Sequence, residues 1–309
     1  MMSTTLTIFT PTYNRGYILP KLYESLCQQT SNDFVWLVID DGSTDNTKVL
    51  FDKWVQEDYI KINYVYQDNA GKMFAHNRAV MMAETELFMC VDSDDLLSSP
   101  TAIEDNLKFW TLQKSQNFYG IISLEKVSGV ISYKRICGMS SNKNPLYNNK
   151  QFPASLYCSS LMGLYESGFS GDTTLMFITE VLKKYPFPEI EGEKFIPESI
   201  SYDKIDQKYK LILFPYYSQL CEYRSDGYTQ NMLSWILKYP RGMRMSYNQN
   251  VELKKNTRIK DEIRYIALSL LIGDGTTVSA SSNKFLTLLL FPLGVVLYAK
   301  YKRMQNKLI

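Results

Sequence analysis

The chain has 309 residues, enough for one large domain or two smaller ones, and its 45% hydrophobic and 21% charged residues are ordinary for a globular protein. A net charge of +2 gives no bulk basic signature, so nucleic acid is not an expected partner. The single histidine, His76, excludes HExxH and multi-histidine metal sites, and the absence of GxSxG, GxxxxGK[ST] and GxGxxG removes the common nucleophile elbow and the common phosphate cradles.

In chain order, TLTIFT (5–10) alternates in polarity and predicts a first strand. Residues 18–29 place Leu19, Leu22, Tyr23 and Leu26 on one helical face, with Pro20 tolerated in the first turn. FVWLVID (34–40) is a continuous apolar run and reads as a buried strand. DGSTDNT (41–47) is a turn that offers Ser43, Thr44 or Asp45 as a cap for a helix over 46–57, with Val49, Leu50 and Trp54 inward. A strand over 60–66, a helix over 72–83, a strand over 86–92, a helix over 102–114 and a strand over 119–124 follow.

This alternation predicts an α/β fold, a mostly parallel sheet with helices on both faces. Ligands in such sheets bind beyond the carboxyl ends of the strands. TPTYNRG, DDGSTD and DSDD stand at three of those ends and should converge. The last is the most telling, because the apolar run Leu87–Val91 stops at Asp92, Ser93, Asp94 and Asp95. Carboxylates this close repel one another and resist burial. Positions i and i+2 of a strand end point the same way, so Asp92 and Asp94 can face one ligand. Hard divalent cations such as magnesium and manganese take one or two carboxylates together with phosphates. A cation carrying a phosphorylated substrate would offset the repulsion; the alternative is a solvated acidic turn.

Residues 126–230 read as loops and short elements covering the ligand edge, and 228–272 as largely helical. The segment 284–307 has a fifteen-residue apolar core, 285–299, interrupted by Pro292 and Gly294. That is short for a membrane span of ~20 residues. Lys284, Lys300, Lys302, Arg303 and Lys307 flank it and no acid follows Asp274, which predicts a helix over 284–303 lying in an anionic membrane interface; the alternative is a buried core helix with a solvated tail.

FTPTYNRGYILPKLYESLCQQT followed by WLVIDDGSTDNT resembles the donor-binding start of glycosyltransferase family 2, nucleotide-sugar enzymes of GT-A fold, and VDSDDLL occupies the place of that family's DXD motif. The resemblance covers residues 5–97. It implies that Pro11, Thr12, Tyr13 and Arg15 line a nucleotide pocket with Tyr13 against the base, that Asp40 bonds a base, usually uracil, and that Asp41 starts the turn. Within the Asp92-Ser93-Asp94 motif, Asp92 would meet the ribose or the metal shell and Asp94 the metal. NAGKMFAHNRAV is similar to the family's GGKxxARNxG helix start. It keeps Gly71, Lys72 and Asn77, with Lys72 placed to meet phosphate, but has His76 for arginine and Ala79 for glycine, so His76 reads as a packing or weak donor-side residue.

Transfer also needs a base for the acceptor hydroxyl. In the family this is the second acid of an ED-like motif about a hundred residues beyond DXD. Pro197-Glu198 stands there, which makes Glu198 the expected base, with Glu193 and Asp172 as rivals. CEYRSDGYTQN (221–231) is similar to a post-catalytic loop in which Arg224 would meet phosphate or acceptor. The resemblance thus implies an inverting enzyme, with manganese or magnesium, that moves sugar from a UDP-sugar to a growing glycan. The basic-flanked C-terminal segment suggests, by analogy, an acceptor carried on a membrane lipid, such as a polyprenyl-diphosphate-linked precursor of a surface or capsular polysaccharide. The organisation expected is a transferase domain over 1–230, with a donor half 1–125 and an acceptor half 126–230, then a helical region 231–309. The alternatives are a sugar nucleotidyltransferase and a non-catalytic nucleotide-sugar-binding scaffold. Five scattered cysteines without CxxC, and an N-terminus without a signal-peptide pattern, fit a cytoplasmic protein peripheral to the inner face of the cell membrane.

Overall fold

The computed structural model describes residues 4–115, 122–136, 151–221, 231–254 and 256–307. The chain forms two compact units, Met1–Pro186 with Lys204–Tyr223, and Phe187–Asp203 with Arg224–Ile309.

The first unit begins as expected. Strands β1 (Leu6–Thr12), β2 (Phe34–Asp40), β3 (Ile62–Tyr66) and β4 (Leu87–Cys90) alternate with helices α1 (Leu19–Cys27), α2 (Thr47–Glu57) and α3 (Lys72–Met82), and run parallel in the order β3-β2-β1-β4. The residues of β2 after Val35 are all buried because the sheet is covered on both faces. α1 buries the stripe Leu19, Leu22, Tyr23 and Leu26. α2 differs from expectation: Thr47, Phe51 and Trp54 face inward at a spacing of four and three, whereas Val49 is exposed. Phe51 and Trp54 complete an aromatic cluster with Tyr23 and Trp36, the Tyr23 and Trp54 rings stacking at 4.3 Å.

Beyond β4 come β5 (Leu96–Leu97), α4 (Ala102–Ser115), β6 (Val127–Ile136), β7 (Cys158–Ser159), α5 (Leu161–Glu166), β8 (Thr173–Ile178), α6 (Thr179–Lys184), α7 (Ser199–Asp206) and β9 (Lys210–Cys221). Two expectations are corrected here. The strand read over 119–124 is absent from its described part, where a 3-10 turn, Leu124–Lys126, precedes β6; residues 119–121 lie outside the described residues. Among the described residues of 126–230 the elements are not all short, since β6 and β9 are the two longest strands among the described residues. The whole sheet is therefore mixed: β8 is antiparallel to β4 and β6, β6 and β9 are parallel, and β5 and β7 are antiparallel to β9. Serine, lysine and glutamine interrupt the apolar runs of β6 and β9, and their pairing spans some eighty residues, so local periodicity hid both strands.

The second unit contains residues 199–203 of α7 together with α8 (Met232–Lys238), α9 (Pro240–Leu253), α10 (Arg258–Ile272) and α11 (Lys284–Gln305). This agrees with the helical reading of 228–272, whose first residues, 228–230, lie outside the described set. α10 packs against both α9 and α11 around Ile236, Leu237, Tyr247, Tyr265, Ile266 and Leu268. Gly294 lets α11 approach α10 closely: a Cβ there would stand 2.3 Å from Ile266 Cγ2. The Thr287 hydroxyl donates to buried Glu262 Oε1 at 2.7 Å.

Candidate active site

Parallel strands place their carboxyl ends on one side, so the segments leaving β1, β2 and β4 emerge together. The register sets Thr12 beside Asp40 and Phe9 beside Cys90. Beyond these pairs the ladders continue, with Asp41 N–H donating to the Thr12 carbonyl at 2.8 Å and Val91 N–H to the Phe9 carbonyl at 2.9 Å.

The first two motifs are stitched to each other. Asn14, in the left-handed region at φ 53°, donates its N–H to Ser43 Oγ (2.8 Å), and its Oδ1 accepts from Thr44 N–H (2.8 Å) and Asp45 N–H (3.3 Å). Asp45 accepts from Gly16 N–H at 2.9 Å. Burial tends to raise the Asp45 carboxyl, but hydrogen bonds with Thr47 and the Gly16 amide outweigh it and hold the group below its usual range.

The paired acids that follow β2 do different work. Asp40 is fully buried; its Oδ1 accepts from Ser43 N–H (2.8 Å) and its Oδ2 from the Tyr64 hydroxyl (2.5 Å). A carboxylate has about four lone-pair sites, so Asp40 retains capacity for another donor. Asp41 anchors the approach to α3: its Oδ1 accepts from Ala70 N–H (2.9 Å) and Gln67 Nε2 (2.7 Å), its Oδ2 from Gly71 N–H (2.8 Å). Gly71 has φ 108°, which a side chain rarely tolerates. From this pinned start Lys72 reaches the third motif, with Nζ 2.9 Å from Asp92 Oδ1 and 3.1 Å from Oδ2.

Asp92–Asp95 fold into a turn closed by Asp95 N–H donating to the Asp92 carbonyl at 2.9 Å. Burial opposes ionisation of Asp92, but Lys72 and Lys134 keep its carboxyl below the ordinary range. Asp94, half-buried, is pushed up by burial and then by Asp92, against the opposing charge of Arg15. Ser93 between them is buried. Asp95 is buried and ion-paired with Lys134 of β6, whose ammonium stays protonated because Asp95 and Asp92 outweigh the effect of burial.

Among the other expected residues, Pro11 and Thr12 end β1, Tyr13 is half exposed, and the Arg15 guanidinium donates to the Tyr17 hydroxyl at 2.7 Å. Asn77 and His76 lie on the buried side of α3. His76 packs edge-on to Phe9 and Phe88 at 5.6 and 5.4 Å, and burial, reinforced by Lys72, lowers its pKa to about 3, so the ring is neutral. The expected base and its rivals fall in both units. Glu198 is exposed in the second unit, and its carbonyl accepts from Ser201 and Tyr202 N–H in the first turn of α7. Glu193, in the same unit, is buried, and its Oε2 caps α9 through Arg241 N–H (3.1 Å) and Gly242 N–H (3.3 Å). Asp172 is in the first unit, where its carbonyl accepts from Lys134 N–H at 3.1 Å. Arg224 lies outside the described residues.

Sequence reasoning missed Asn14, Asp45 and Lys134 as parts of this site. Asn14 and Asp45 were inside the motifs already singled out, and the basic pair Lys134-Arg135 inside the otherwise mostly apolar run VISYKRI was the signal for Lys134. The described residues contain no cluster of three His, Cys, Asp or Glu that would cage a metal alone. The donor set nevertheless suits a magnesium or manganese ion shared with phosphates, which needs only one or two carboxylates, and the raised Asp94 carboxyl beside Asp92 is what an added cation would relieve.

A parallel β3-β2-β1-β4 half-sheet tipped by an acidic turn, followed by a mixed extension, defines a glycosyltransferase-type GT-A fold. Solved structures share it. The chain superposes on Staphylococcus aureus TarS 1-349 in complex with UDP-GlcNAc with a TM-score of 0.59 and 16% identity, covering 98% of this chain and 92% of that one. For the mannosyltransferase PcManGT of Pyrobaculum calidifontis, in complex with GDP-Man and Mn2+, the TM-score is 0.54 and identity 16%, covering 98% and 84%. The sequence model described as Glycosyl transferase family 2 matches residues 7–169, over half the chain, and the chain belongs to that family. Among curated relatives, the teichoic acid poly(glycerol phosphate) polymerase of Staphylococcus epidermidis is 34% identical over 119 residues, 38% of this chain and 16% of that protein. Glycosyltransferase GlyG of Streptococcus pneumoniae is 32% identical over 97 residues, 31% of this chain and 32% of that protein. The matches thus span between a sixth and a third of these relatives' own length.

Proposed function

We propose that the chain is an inverting, metal-dependent glycosyltransferase that moves a sugar from a UDP-sugar to a growing glycan. The observation that carries this reading is the meeting of Lys72, Asp92 and Asp94 at the carboxyl edge of β1, β2 and β4. In this reading Pro11, Thr12, Tyr13 and Arg15 border the nucleotide, Asp40 takes a base N–H, and Lys72 and Arg15 face the diphosphate. Asp94, with Asp92, would hold a manganese or magnesium ion, which supplies charge neutralisation for the departing diphosphate. Asp41 and Gly71 position Lys72. Glu198 is the proposed base; Glu193 is less suited because its carboxylate already caps α9. The transferase domain is read as 1–230, in donor and acceptor halves 1–125 and 126–230, with 231–309 as an accessory region.

The acceptor in this reading is a lipid-linked glycan, including a polyprenyl-diphosphate-linked precursor of a surface or capsular polysaccharide, and the chain acts at the cytoplasmic face of the cell membrane. α11 supports the membrane part. It is the one helix among the described residues long and apolar enough to cross a bilayer by length and composition. Yet one side of it is fixed on α10 through Thr287 and Gly294, while Phe285 is 77% and Val296 70% exposed, with Leu288, Leu289 and Leu293 on the same open stripe. Lys284, Lys300 and Arg303 border that stripe. A one-sided apolar stripe with basic flanks suits an interfacial position better than a span.

The test is thermal unfolding with nucleoside diphosphates, with manganese and with chelator. A ligand that binds only the folded state raises Tm. A rise with UDP and manganese, lost with chelator or in Asp94→Ala, is expected. No rise with any nucleotide would overturn the donor-site assignment.

A further inference from the structure

A cavity of about 230 Å³ lies in the first unit between α4, the segment after β5, and β9; Ser98, Ser99, Asp105, Phe214, Tyr216 and Tyr217 are among its lining residues. Its tyrosines are there because the β6–β9 ladder breaks. Ser132 pairs with Phe214 but the next residue, Tyr133, pairs with Tyr217, so Pro215 and Tyr216 are extruded; a further extra residue, Ser218, precedes the pair Lys134 and Gln219. Bulges re-aim side chains and concentrate beside functional sites. This one leaves Tyr216 63% and Tyr217 37% exposed within a strand whose flanking residues Phe214 and Ser218 are buried. Both tyrosines are held: the Tyr216 ring packs against Phe214 at 4.9 Å, and the Tyr217 carbonyl accepts from Ser98 Oγ at 2.5 Å.

We infer that this cavity is a subsite for one neutral pyranose residue of a glycan. Three features select that ligand class. The volume is below the ~300–1,000 Å³ of sites for drug-sized molecules and suits a single ring. Among its lining residues none is cationic, and Asp105 contributes a carboxylate, so phosphates and nucleotides are disfavoured. The Thr101 hydroxyl holds Asp105 Oδ2 at 2.8 Å, leaving Oδ1 to accept from a sugar hydroxyl. The Tyr217 ring packs against Tyr133 at 5.4 Å, so the more exposed Tyr216 supplies the electron-rich face for the C–H face of a pyranose. The subsite is tied to the acidic turn. β5 follows Asp95 directly and pairs with β9 at Leu96–Leu220 and Leu97–Gln219, and Gln219 Nε2 donates to the Cys90 carbonyl at 2.9 Å. The role as an acceptor-chain grip rests on the transferase reading; the sugar binding itself does not.

Saturation-transfer NMR on the full chain with methyl β-D-glucopyranoside and N-acetylglucosamine, in the presence of saturating UDP and manganese, tests this. Transfer to ring protons is expected, with affinity falling about three- to tenfold in Tyr216→Ala, the loss of one ring contact, and also falling in Asp105→Asn. The Tm rise with UDP should be unchanged in both variants, which separates this site from the donor site. No transfer, or transfer undiminished in Tyr216→Ala, would overturn the assignment, as would transfer seen only when UDP is left out. A protein that binds these sugars without any UDP response would retain the subsite and lose the transferase reading.

Discussion

The Lys72 ammonium stands 2.9 Å from Asp92 Oδ1, joining the first turn of α3 to the acidic turn after β4. One cation and one carboxylate therefore already neutralise each other where a diphosphate and a metal would meet. Replacing Lys72 with Met is expected to weaken UDP–manganese binding about tenfold or more, the loss of one charge-assisted contact. Isothermal titration measures this. Unchanged or tighter binding would mean that Lys72 serves Asp92 alone.

Asp41 is 5% exposed and accepts three hydrogen bonds, from Gln67, Ala70 and Gly71. Asp41→Ala leaves two loop amides without their partner, and a stability loss of about 3 kcal/mol follows. Urea unfolding gives the value. Asp41→Asn should recover only part of it, since an amide oxygen replaces two acceptor oxygens.

His76 gives a pH dependence of known sign. Its folded pKa, about 3, lies below its ordinary 6.5, so the unfolded chain binds the proton first. The contribution is fully present above pH 6.5 and is lost as pH falls toward 3. Between pH 7.5 and pH 5 it amounts to about 2 kcal/mol. Denaturant midpoints for wild type and His76→Leu across that interval should diverge accordingly, the variant losing less stability on acidification.

Glu198→Gln keeps size and removes the proposed base. A fall in kcat of about a hundredfold or more is expected, with the Tm response to UDP intact, because general-base catalysis supplies roughly 10²–10⁴. Product release assays with a UDP-sugar donor measure it. Glu193→Gln should instead lower stability through the α9 cap. If Asp172→Asn rather than Glu198→Gln stops turnover, the base has been misassigned.

Leu289→Asp and Val296→Asp each put a charge in the open stripe of α11. Sedimentation with phosphatidylglycerol vesicles should fall about tenfold or more for each, given ~1.5–3 kcal/mol per buried aliphatic side chain. Wild-type binding should weaken with salt and be poor on phosphatidylcholine. Salt-independent binding would contradict the role of Lys284, Lys300 and Arg303.

Much of the donor half was legible in the residues themselves. The runs TLTIFT, FVWLVID and ELFMCVD are short, apolar and bounded by turn residues, so their identity as parallel strands, and the meeting of Asp40, Asp41, Asp92 and Asp94 at one edge, followed from local pattern and the rules of parallel sheets. The family resemblance had the same source. Tertiary structure alone decided what depends on distant pairing. The long strands β6 and β9 find each other across some eighty residues, and their bulge exposes Tyr216. Lys134 is distinguished from a surface lysine only by its burial against Asp95. Asp40 and Asp41 are neighbours of identical chemistry, yet one closes its own turn and the other holds Gly71, because each carboxylate answers to whichever amides the fold brings within about 3 Å. Periodicity reports which side of an element is apolar; it carries no information about which remote donor, charge or ring will stand opposite.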